Sequence, residues 1–361
     1  MSLHELQELL FLGHDHSAID DEELLLPYEE FLPKNPDFSY ENYDRLDLDD
    51  MNDSECLAEF RVKKRDLQIL AEALQIPDSF TCYQRSVVSG MEGLCILLRR
   101  LAYPCRYSDI ITRFGLPVPV LSMVCNDVLD FVYDTHGHRI TQWNPTVLSP
   151  DYLQIYSDAV AAKGAALHDC FGFIDGTVRP ICRPGEQQRI LYNRHKRLHS
   201  LKFQAVVLPN GLIGNLFRPV EGRRHDAGML ADSRLLDQLQ LFAHSPLGNP
   251  FCLYGDPAYP LRIHLQAPFR DRALTPLMVD FNKSMSTVRE SVEWLFNDIA
   301  TYFKFIDFKK NLKIGLSSVG KMYVVGALLR GALGCLDGNQ TSTFFDYSKS
   351  TFFERYMTVI S

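Results

Sequence analysis

Phe171-Gly-Phe-Ile-Asp-Gly-Thr177 is an apolar run that ends at Asp175 and is followed at once by a glycine. A second run, Phe251-Cys-Leu-Tyr-Gly-Asp-Pro-Ala-Tyr259, ends in the same way at Asp256, next to a proline. Short apolar runs bounded by such breakers predict buried β-strands. These two strands, each ending on a carboxylate, are the centre of the predicted fold.

A third carboxylate, Glu293, lies in Ser286-Thr-Val-Arg-Glu-Ser-Val-Glu-Trp-Leu-Phe296, where apolar residues recur at helical spacing. Any one of the three acids alone is more often a cap, a turn residue or a surface charge. Together, two at strand ends and one on a covering helix can converge, and converging carboxylates repel one another unless a cation lies between them. Mg²⁺ prefers such oxygen ligands. Two such ions about 3.5–4 Å apart would clamp the attacking and leaving oxygens of a phosphodiester.

The elements around these runs predict the fold class. Asn-Gly in Pro209-Asn-Gly211 lies between two β-rich runs, at 201–208 and 212–217, and predicts a hairpin. The order β-β-β-α-β-α predicts an α/β protein with helices packed on a mixed sheet. The remaining predicted elements are helices at 228–242, 286–303 and 319–333 and a strand at 251–254.

Composition narrows the class of protein. The chain has 361 residues, which favours a core domain with a smaller helical region. We expect no membrane-spanning helix and, because the first residues carry acids, no signal peptide. The nine cysteines include no Cys-x-x-Cys pair, which favours reduced thiols in the cytosol or nucleus and disfavours a zinc site. A serine-hydrolase elbow and a phosphate-binding loop are also absent from the sequence.

Charge is distributed unevenly along the chain. Residues 1–60 carry eighteen acids against Lys34 and Arg45, whereas the rest of the chain has a net charge of +8. A basic body could bind a polyanion, while the acidic arm recruits a basic partner or shields the body. A solvated, flexible tail without a specific role is an equally good reading of the arm.

We divide the chain into four parts. Residues 1–54 form an acidic, largely disordered arm with one candidate docking segment at 24–31; 55–165 form a helical region; 166–340 form the core; and 341–361 form a C-terminal tail. Within the helical region, 107–116 and 120–130 are a helix-turn-helix candidate. The second of these helices has few bases, so its spacing fits a plain helical bundle better.

Several motifs in the core resemble those of the PIF/Harbinger group of DDE endonucleases, a group with an RNase H-like fold. The matching residues are Phe173-Ile-Asp-Gly-Thr177, Gly222-Arg-Arg-His-Asp-Ala-Gly228 with Ser233, Tyr254-Gly-Asp-Pro-Ala-Tyr-Pro260, Pro276, Asn282 and Val288-Arg-Glu-Ser-Val-Glu-Trp-Leu-Phe296. The resemblance covers about 165–310 well and 55–165 more loosely. It departs from the group's pattern at Ala258 and Asn297, where glycine is common, and neither departure removes a carboxylate.

The resemblance implies a catalytic triad of Asp175, Asp256 and Glu293, with Asp226 as a further metal ligand and Mg²⁺ or Mn²⁺ as the cofactor. Glu290 is a rival for Glu293, but the group's pattern of an Arg, then Val-Glu, then an aromatic residue fits Glu293. The implied reaction is two-metal cleavage of DNA at transposon ends. The alternative from another class is a domesticated DNA-binding or interaction protein without nuclease activity. A helical scaffold with coincidental motifs would instead leave the acids far apart.

Bases flank the predicted metal site in the sequence. Between Arg179 and Arg224 lie ten Lys and Arg residues against Glu186 and Glu221. A solvated turn is the alternative reading of this stretch. As phosphate contacts they would weaken steeply with salt. The resemblance further implies a separate Myb-like partner for sequence recognition, and we expect a homo-oligomer, no membrane and a location in the nucleus or also the cytoplasm. The predicted nucleic-acid contacts are Arg194, Lys196, Arg197, Lys202, Arg223 and Arg224.

Overall fold

The computed structural model describes residues 12, 38–83, 85–270, 272–347 and 356. The docking segment predicted at 24–31, with most of the acidic arm, lies outside these residues. Residues 38–54 of the arm are described. Met51 is buried there, and Arg45 Nε donates a hydrogen bond to Oε1 of the buried Glu92 at 2.9 Å. This part of the arm therefore packs against the helical region.

The N-terminal region is made of helices and one small antiparallel hairpin. The hairpin was not predicted, because strands of three residues are too short to show a period of two. The elements are α1 (Asp53–Phe60), α2 (Lys64–Ala73), β1 (Ser79–Thr81), β2 (Val87–Ser89), α3 (Gly90–Ala102), a 3₁₀ turn (Tyr107–Ile110), α4 (Ile111–Phe114), α5 (Val118–His136), α6 (His138–Thr141) and α7 (Pro150–Ala162).

The helix-turn-helix candidate consists of two bent helical segments. The short helices at 107–114 and the long α5 meet at 93°, an angle typical of the motif. Gly115 turns the chain between them at a φ of +55°, and a Cβ there would lie 2.4 Å from the Tyr43 carbonyl oxygen. The exposed side of α5 carries acids such as Asp127 and Asp134, which would repel phosphate. Its role in DNA recognition stays a prediction.

The C-terminal region contains the large sheet and its covering helices. Its elements are β3 (Cys170–Pro180), α8 (Gln188–Leu191), β4 (Tyr192–Asn193), β5 (Leu198–Val207), β6 (Ile213–Glu221), α9 (Asp226–Ser233), α10 (Leu235–Phe242), β7 (Cys252–Gly255), β8 (Leu265–Gln266), α11 (Pro276–Tyr302), 3₁₀ turns at Lys304–Asp307 and Lys309–Asn311, α12 (Val319–Asp337) and α13 (Gln340–Phe344).

The sheet is mixed, as predicted. Its order is β4-β5-β3-β7-β8, with β6 also paired to β5. β3, β5 and β6 pair antiparallel, whereas β3, β7 and β8 pair parallel. The Asn-Gly hairpin joins β5 to β6, and Gly211 adopts a φ of +78° in its turn. An α/β fold with a mixed sheet and covering helices is therefore confirmed.

Several of the predicted elements have different bounds, and the helix predicted at 286–303, α11, begins ten residues earlier at Pro276. β3 does not end at Asp175 but continues to Pro180, because residues 176–180 keep pairing with β5. The single helix predicted at 228–242 is two helices, since Arg234 between them has a left-handed φ of +52°. The extension of β3 matters for the site, because Asp175 lies inside a strand at the point where its other neighbour, β7, ends.

The buried apolar side chains form one cluster that extends from Met51 to Tyr356 and includes both regions. Part of the predicted tail belongs to it, since Phe345 is buried and stacks on Phe173 with ring centroids 6.3 Å apart. α12 is long and apolar enough to cross a membrane, and so is α5 when it is taken together with the bent helices before it. In α12, 78% of the 18-residue apolar stretch is buried inside the protein. Arg330 within this helix pairs with Asp298 at 2.7 Å. α12 is thus packed as a core helix.

Candidate metal centre

Asp175 and Asp256 lie side by side where the parallel pairing of two neighbouring strands, β3 and β7, ends. Ile174 of β3 is in register with Gly255, the last residue of β7; Asp175 follows Ile174 within β3, and Asp256 is the first residue after β7. Neighbouring strands are about 4.8 Å apart. Gly255 has no room for a side chain, because a Cβ there would lie 2.6 Å from the Tyr259 ring and 2.9 Å from Ile174. The two acids, which the sequence predicts can converge, thus lie next to each other.

Asp226 reaches the same place from α9, of which it is the first residue. The positive end of a helix dipole favours a carboxylate at that position. Gly176 admits this carboxylate, since a Cβ on Gly176 would lie 2.3 Å from Asp226 Oδ1. Asp175, Asp226 and Asp256 consequently line one pocket of about 780 Å³.

Two residues that the sequence did not single out lie beneath these carboxylates. Tyr259 is buried, and Gln204 Nε2 donates a hydrogen bond to its hydroxyl oxygen at 3.0 Å. Burial raises the pKa of Tyr259, and the negative charges of Asp226, Asp175 and Asp256 raise it further. The pKa of the Tyr259 hydroxyl therefore depends on the charges of all three aspartates. Tyr259 could have been found from its place in the motif that contains Asp256, whereas Gln204 has no such signal.

Internal cations hold two of the three carboxylates. Arg289 Nη1 on α11 donates to Asp175 Oδ2 at 2.9 Å, and Lys202 Nζ on β5 lies 2.8 Å from Asp226 Oδ1. Lys202 is 8% exposed and also donates to the Arg224 carbonyl oxygen at 3.3 Å. Lys202, which was predicted to contact nucleic acid, is thus held in the wall of the pocket by Asp226 and Arg224. Arg289, quoted above within a motif, was not predicted as a site residue.

Glu293 does not line this pocket. It is exposed on α11, one helical turn after Arg289 and therefore on the same side of the helix. Glu290, its rival, is also exposed and lies about 100° around the helix from Arg289. Within the described part of the chain, no three His, Cys, Asp or Glu side chains converge into a ready-made metal site. The role of Glu293 stays a prediction.

The residues present nevertheless fit a hard divalent cation. The pocket offers carboxylate oxygens, the donors that Mg²⁺ and Mn²⁺ bind. Burial raises the pKa of Asp175; Arg289 and the Gly176 amide lower it, and the charges of Asp256 and Asp226 raise it. A divalent cation would relieve this repulsion better than the single charge of Arg289. Asp175, Asp226 and Asp256 are the residues that would hold it.

Comparison with known proteins shows that part of the core is similar to a family of endonucleases. Residues 174–330 match the family model described as DDE superfamily endonuclease. The match begins one residue before Asp175 and includes Asp226, Asp256 and Glu293. No curated protein and no solved structure matches the chain significantly. The family indicates a transposase-like nuclease, a hydrolase of phosphodiester bonds, and its nucleases generally use divalent metals.

We expect metal affinity to depend on pH through Asp175. The pKa of Asp175 lies above the usual carboxylate value, so the folded protein favours the protonated carboxyl group. The stability that this preference contributes is fully present below the usual carboxylate pKa and is lost as the pH rises through the folded-state pKa. Metal binding requires the charged form, so Mn²⁺ affinity should fall on acidification at a higher pH than an ordinary aspartate would cause. Calorimetric titration with Mn²⁺ from pH 8 down to about pH 4, near the ordinary aspartate pKa, measures this. An affinity that begins to fall only near that ordinary pKa would contradict the expectation.

The predicted nucleic-acid contacts differ in their surroundings, and three of them form a first group. Arg194, Lys196 and Arg223 are exposed, line the pocket and have no carboxylate partner in the described part of the chain. Arg224 also lines the pocket but pairs with Asp232. Arg197 is exposed in the turn between β4 and β5, with a φ of +53°, and does not line the pocket. The first group is therefore free to contact phosphate beside the acids.

Proposed function

We propose that this chain is a divalent-metal-dependent DNA endonuclease that cuts phosphodiester bonds as DDE transposases of the Harbinger type do. One observation carries the proposal. Asp175 and Asp256 lie side by side where β7 leaves β3, and Asp226 reaches them over Gly176, all within the segment that matches the endonuclease family. Carboxylates that line one pocket repel one another, and a shared cation would relieve that repulsion.

The residues have distinct parts in the proposed mechanism. Asp175, Asp226 and Asp256 hold the metal, and Glu293 on α11 is the proposed fourth ligand. When bound, two divalent ions supply an activated water and stabilise the leaving oxygen. Gln204 fixes the Tyr259 hydroxyl beneath the carboxylates and keeps that side of the pocket filled. Arg194, Lys196 and Arg223 bind backbone phosphates, which positions a duplex without reading its sequence.

The substrate and partners are proposed from the resemblance to Harbinger proteins. They are double-stranded DNA at transposon ends, a separate Myb-like protein that recognises sequence, and further copies of this chain, in the nucleus. The basic wall of the pocket supports a polyanionic substrate. The acids on the exposed side of α5 support the need for a separate recognition protein.

The test is cleavage of a DNA duplex that carries the flanking inverted repeats, with Mg²⁺ or Mn²⁺ and with EDTA as the metal-free control. We expect strand breaks that require the metal and fall with added salt. Supercoiled plasmid serves as a second substrate because nicking is visible without knowledge of the target site. Intact DNA on both substrates, at metal concentrations that saturate binding, would contradict the proposal.

The second candidate is a DNA-binding protein derived from such a nuclease, without cleavage. The ion pairs of Asp175 with Arg289 and of Asp226 with Lys202 favour it, because they neutralise the carboxylates without metal. The two candidates differ in metal binding. The nuclease predicts a rise in melting temperature with Mn²⁺, whereas the DNA-binding protein predicts none.

A further inference from the structure

A second basic concavity lies between the helical region and the core. It is a cleft of about 600 Å³, formed on one side by the end of α3 and the 3₁₀ turn at Tyr107–Ile110. The other side is the segment that follows α11. Four bases line it, Arg100, Arg106, Lys310 and Lys313, against the single acid Asp109.

In the part of the chain that the structure describes, Arg100 is held in place without a counter-ion. Its guanidinium carbon lies 4.2 Å from the centroid of the Tyr107 ring and 4.1 Å from that of Phe305, and Nη1 donates to the Cys105 carbonyl oxygen. Its Nε is buried without a hydrogen-bond partner. The preceding Arg99, by contrast, pairs with Glu59 at 2.7 Å. Arg100 is therefore positioned with an uncompensated charge.

The other bases of the cleft are likewise uncompensated. Among the described residues, no carboxylate forms an ion pair with Arg106, Lys310 or Lys313. The one acid has another partner, since Asp109 Oδ2 accepts a hydrogen bond from the Arg106 amide at 2.7 Å. Four like charges in one concavity repel one another, and an anion with several charges would relieve this repulsion.

The cleft is tied to the strand that carries Asp175. Ile181 N donates to the His199 carbonyl oxygen, and Cys182 N donates to that of Leu312, both at 2.9 Å. Leu312 lies between Lys310 and Lys313. The seven residue steps from Asp175 to Cys182 span about 23 Å in extended chain, which is about seven base pairs of duplex.

We propose that this cleft binds the phosphate backbone of the DNA duplex whose cleavage is proposed above, about seven base pairs from the metal centre. Arginine offers a planar fork to phosphate oxygens, and lysine offers a point charge. Asn311 in the same wall adds an amide donor. The cleft positions the duplex by charge and reads no sequence. This inference depends on the proposed function, because it takes DNA as the substrate.

The test is binding of a fluorescein-labelled 30-base-pair duplex in EDTA, followed by anisotropy at several salt concentrations. The cleft variant is Lys310→Glu with Lys313→Glu, two exposed positions. The matched control, Lys64→Glu with Arg65→Glu, makes the same charge change on α2, outside the cleft. We expect the cleft variant to bind at least about tenfold more weakly and to reduce the salt slope by about 2. The control should change Kd less than about twofold.

Lys310→Gln with Lys313→Gln removes the charges without adding acids, and it should weaken binding in the same direction at an unchanged melting temperature. A cleft variant that binds like the control would overturn the inference. Tighter binding by the charge-reversed protein would also overturn it, because an acidic segment of the chain would then be the occupant. Wild-type protein that binds no duplex at all would instead contradict the proposed function.

Discussion

Asp256→Asn is expected to reduce metal-dependent strand cleavage by about 10²- to 10³-fold, which corresponds to about 3–4 kcal/mol of lost transition-state stabilisation. The amide keeps the hydrogen bond that Oδ1 accepts from the Ala258 amide at 2.9 Å, so the turn after β7 should survive. The negative charge beside Asp175 is lost, and with it one anionic ligand. Nicking of supercoiled plasmid with Mn²⁺ measures the rate.

The control for this prediction is Asp237→Asn, which makes the same chemical change at an exposed residue of α10, outside the pocket. It should cleave at the wild-type rate. Melting curves of both variants in EDTA show whether the fold is retained. Cleavage by Asp256→Asn at the control's rate would show that Asp256 does not hold the metal. It would also show that the site does not depend on the pairing of β3 with β7.

Lys202→Met is expected to lower the melting temperature in EDTA and to increase the affinity for Mn²⁺. Lys202 and Asp226 have 11% and 20% of their side chains exposed, so removal of the ammonium leaves a mostly buried carboxylate without its cation. Such a loss costs about 1–3 kcal/mol of unfolding free energy at this partial exposure. The metal then no longer competes with an internal cation for Asp226. Calorimetry and melting curves measure the two effects.

Lys202→Arg is the control, since it keeps a cation next to Asp226 and should leave both quantities closer to wild type. The opposite result for Lys202→Met, a stable metal-free protein with weaker Mn²⁺ binding, would show that Lys202 supports the metal rather than replaces it. The comparison also separates the two candidate functions. In a protein that no longer binds metal, Mn²⁺ would not rescue the melting temperature of Lys202→Met.

Much of the centre of the fold could be predicted from short patterns. Apolar runs that stop at Asp175 and Asp256 indicate buried strands, and the Asn-Gly between β5 and β6 sets a hairpin, because these signals depend on a few neighbouring residues. The sequence predicted that the two acids can converge, whereas the parallel pairing of β3 with β7 is a long-range contact that only the structure displays. The placement of Asp226 came from the resemblance alone, and its physical reason, the missing side chain of Gly176, appears only in three dimensions.

Other features depend on contacts that a sequence does not display. The extension of β3 to Pro180 depends on its partner strand, and the ion pairs of Arg289 and Lys202 depend on where α11 and β5 pass the acids. The charge pattern along the chain shows that Lys202 belongs to a basic stretch, but it does not show that this side chain is buried. Glu293 shows the same limit, because helical period fixes its side of α11 and not its distance from the aspartates.

The shared interior that extends from Met51 to Tyr356 has a practical consequence for protein engineering. α12 contacts both α5 of the helical region and β6 of the sheet, so its two sides are covered by elements from both regions of the chain. A fragment trimmed to the family-matched segment would expose the α5 side of α12 to water and invite aggregation. Deletion studies of catalysis should therefore keep the helical region and change single side chains instead.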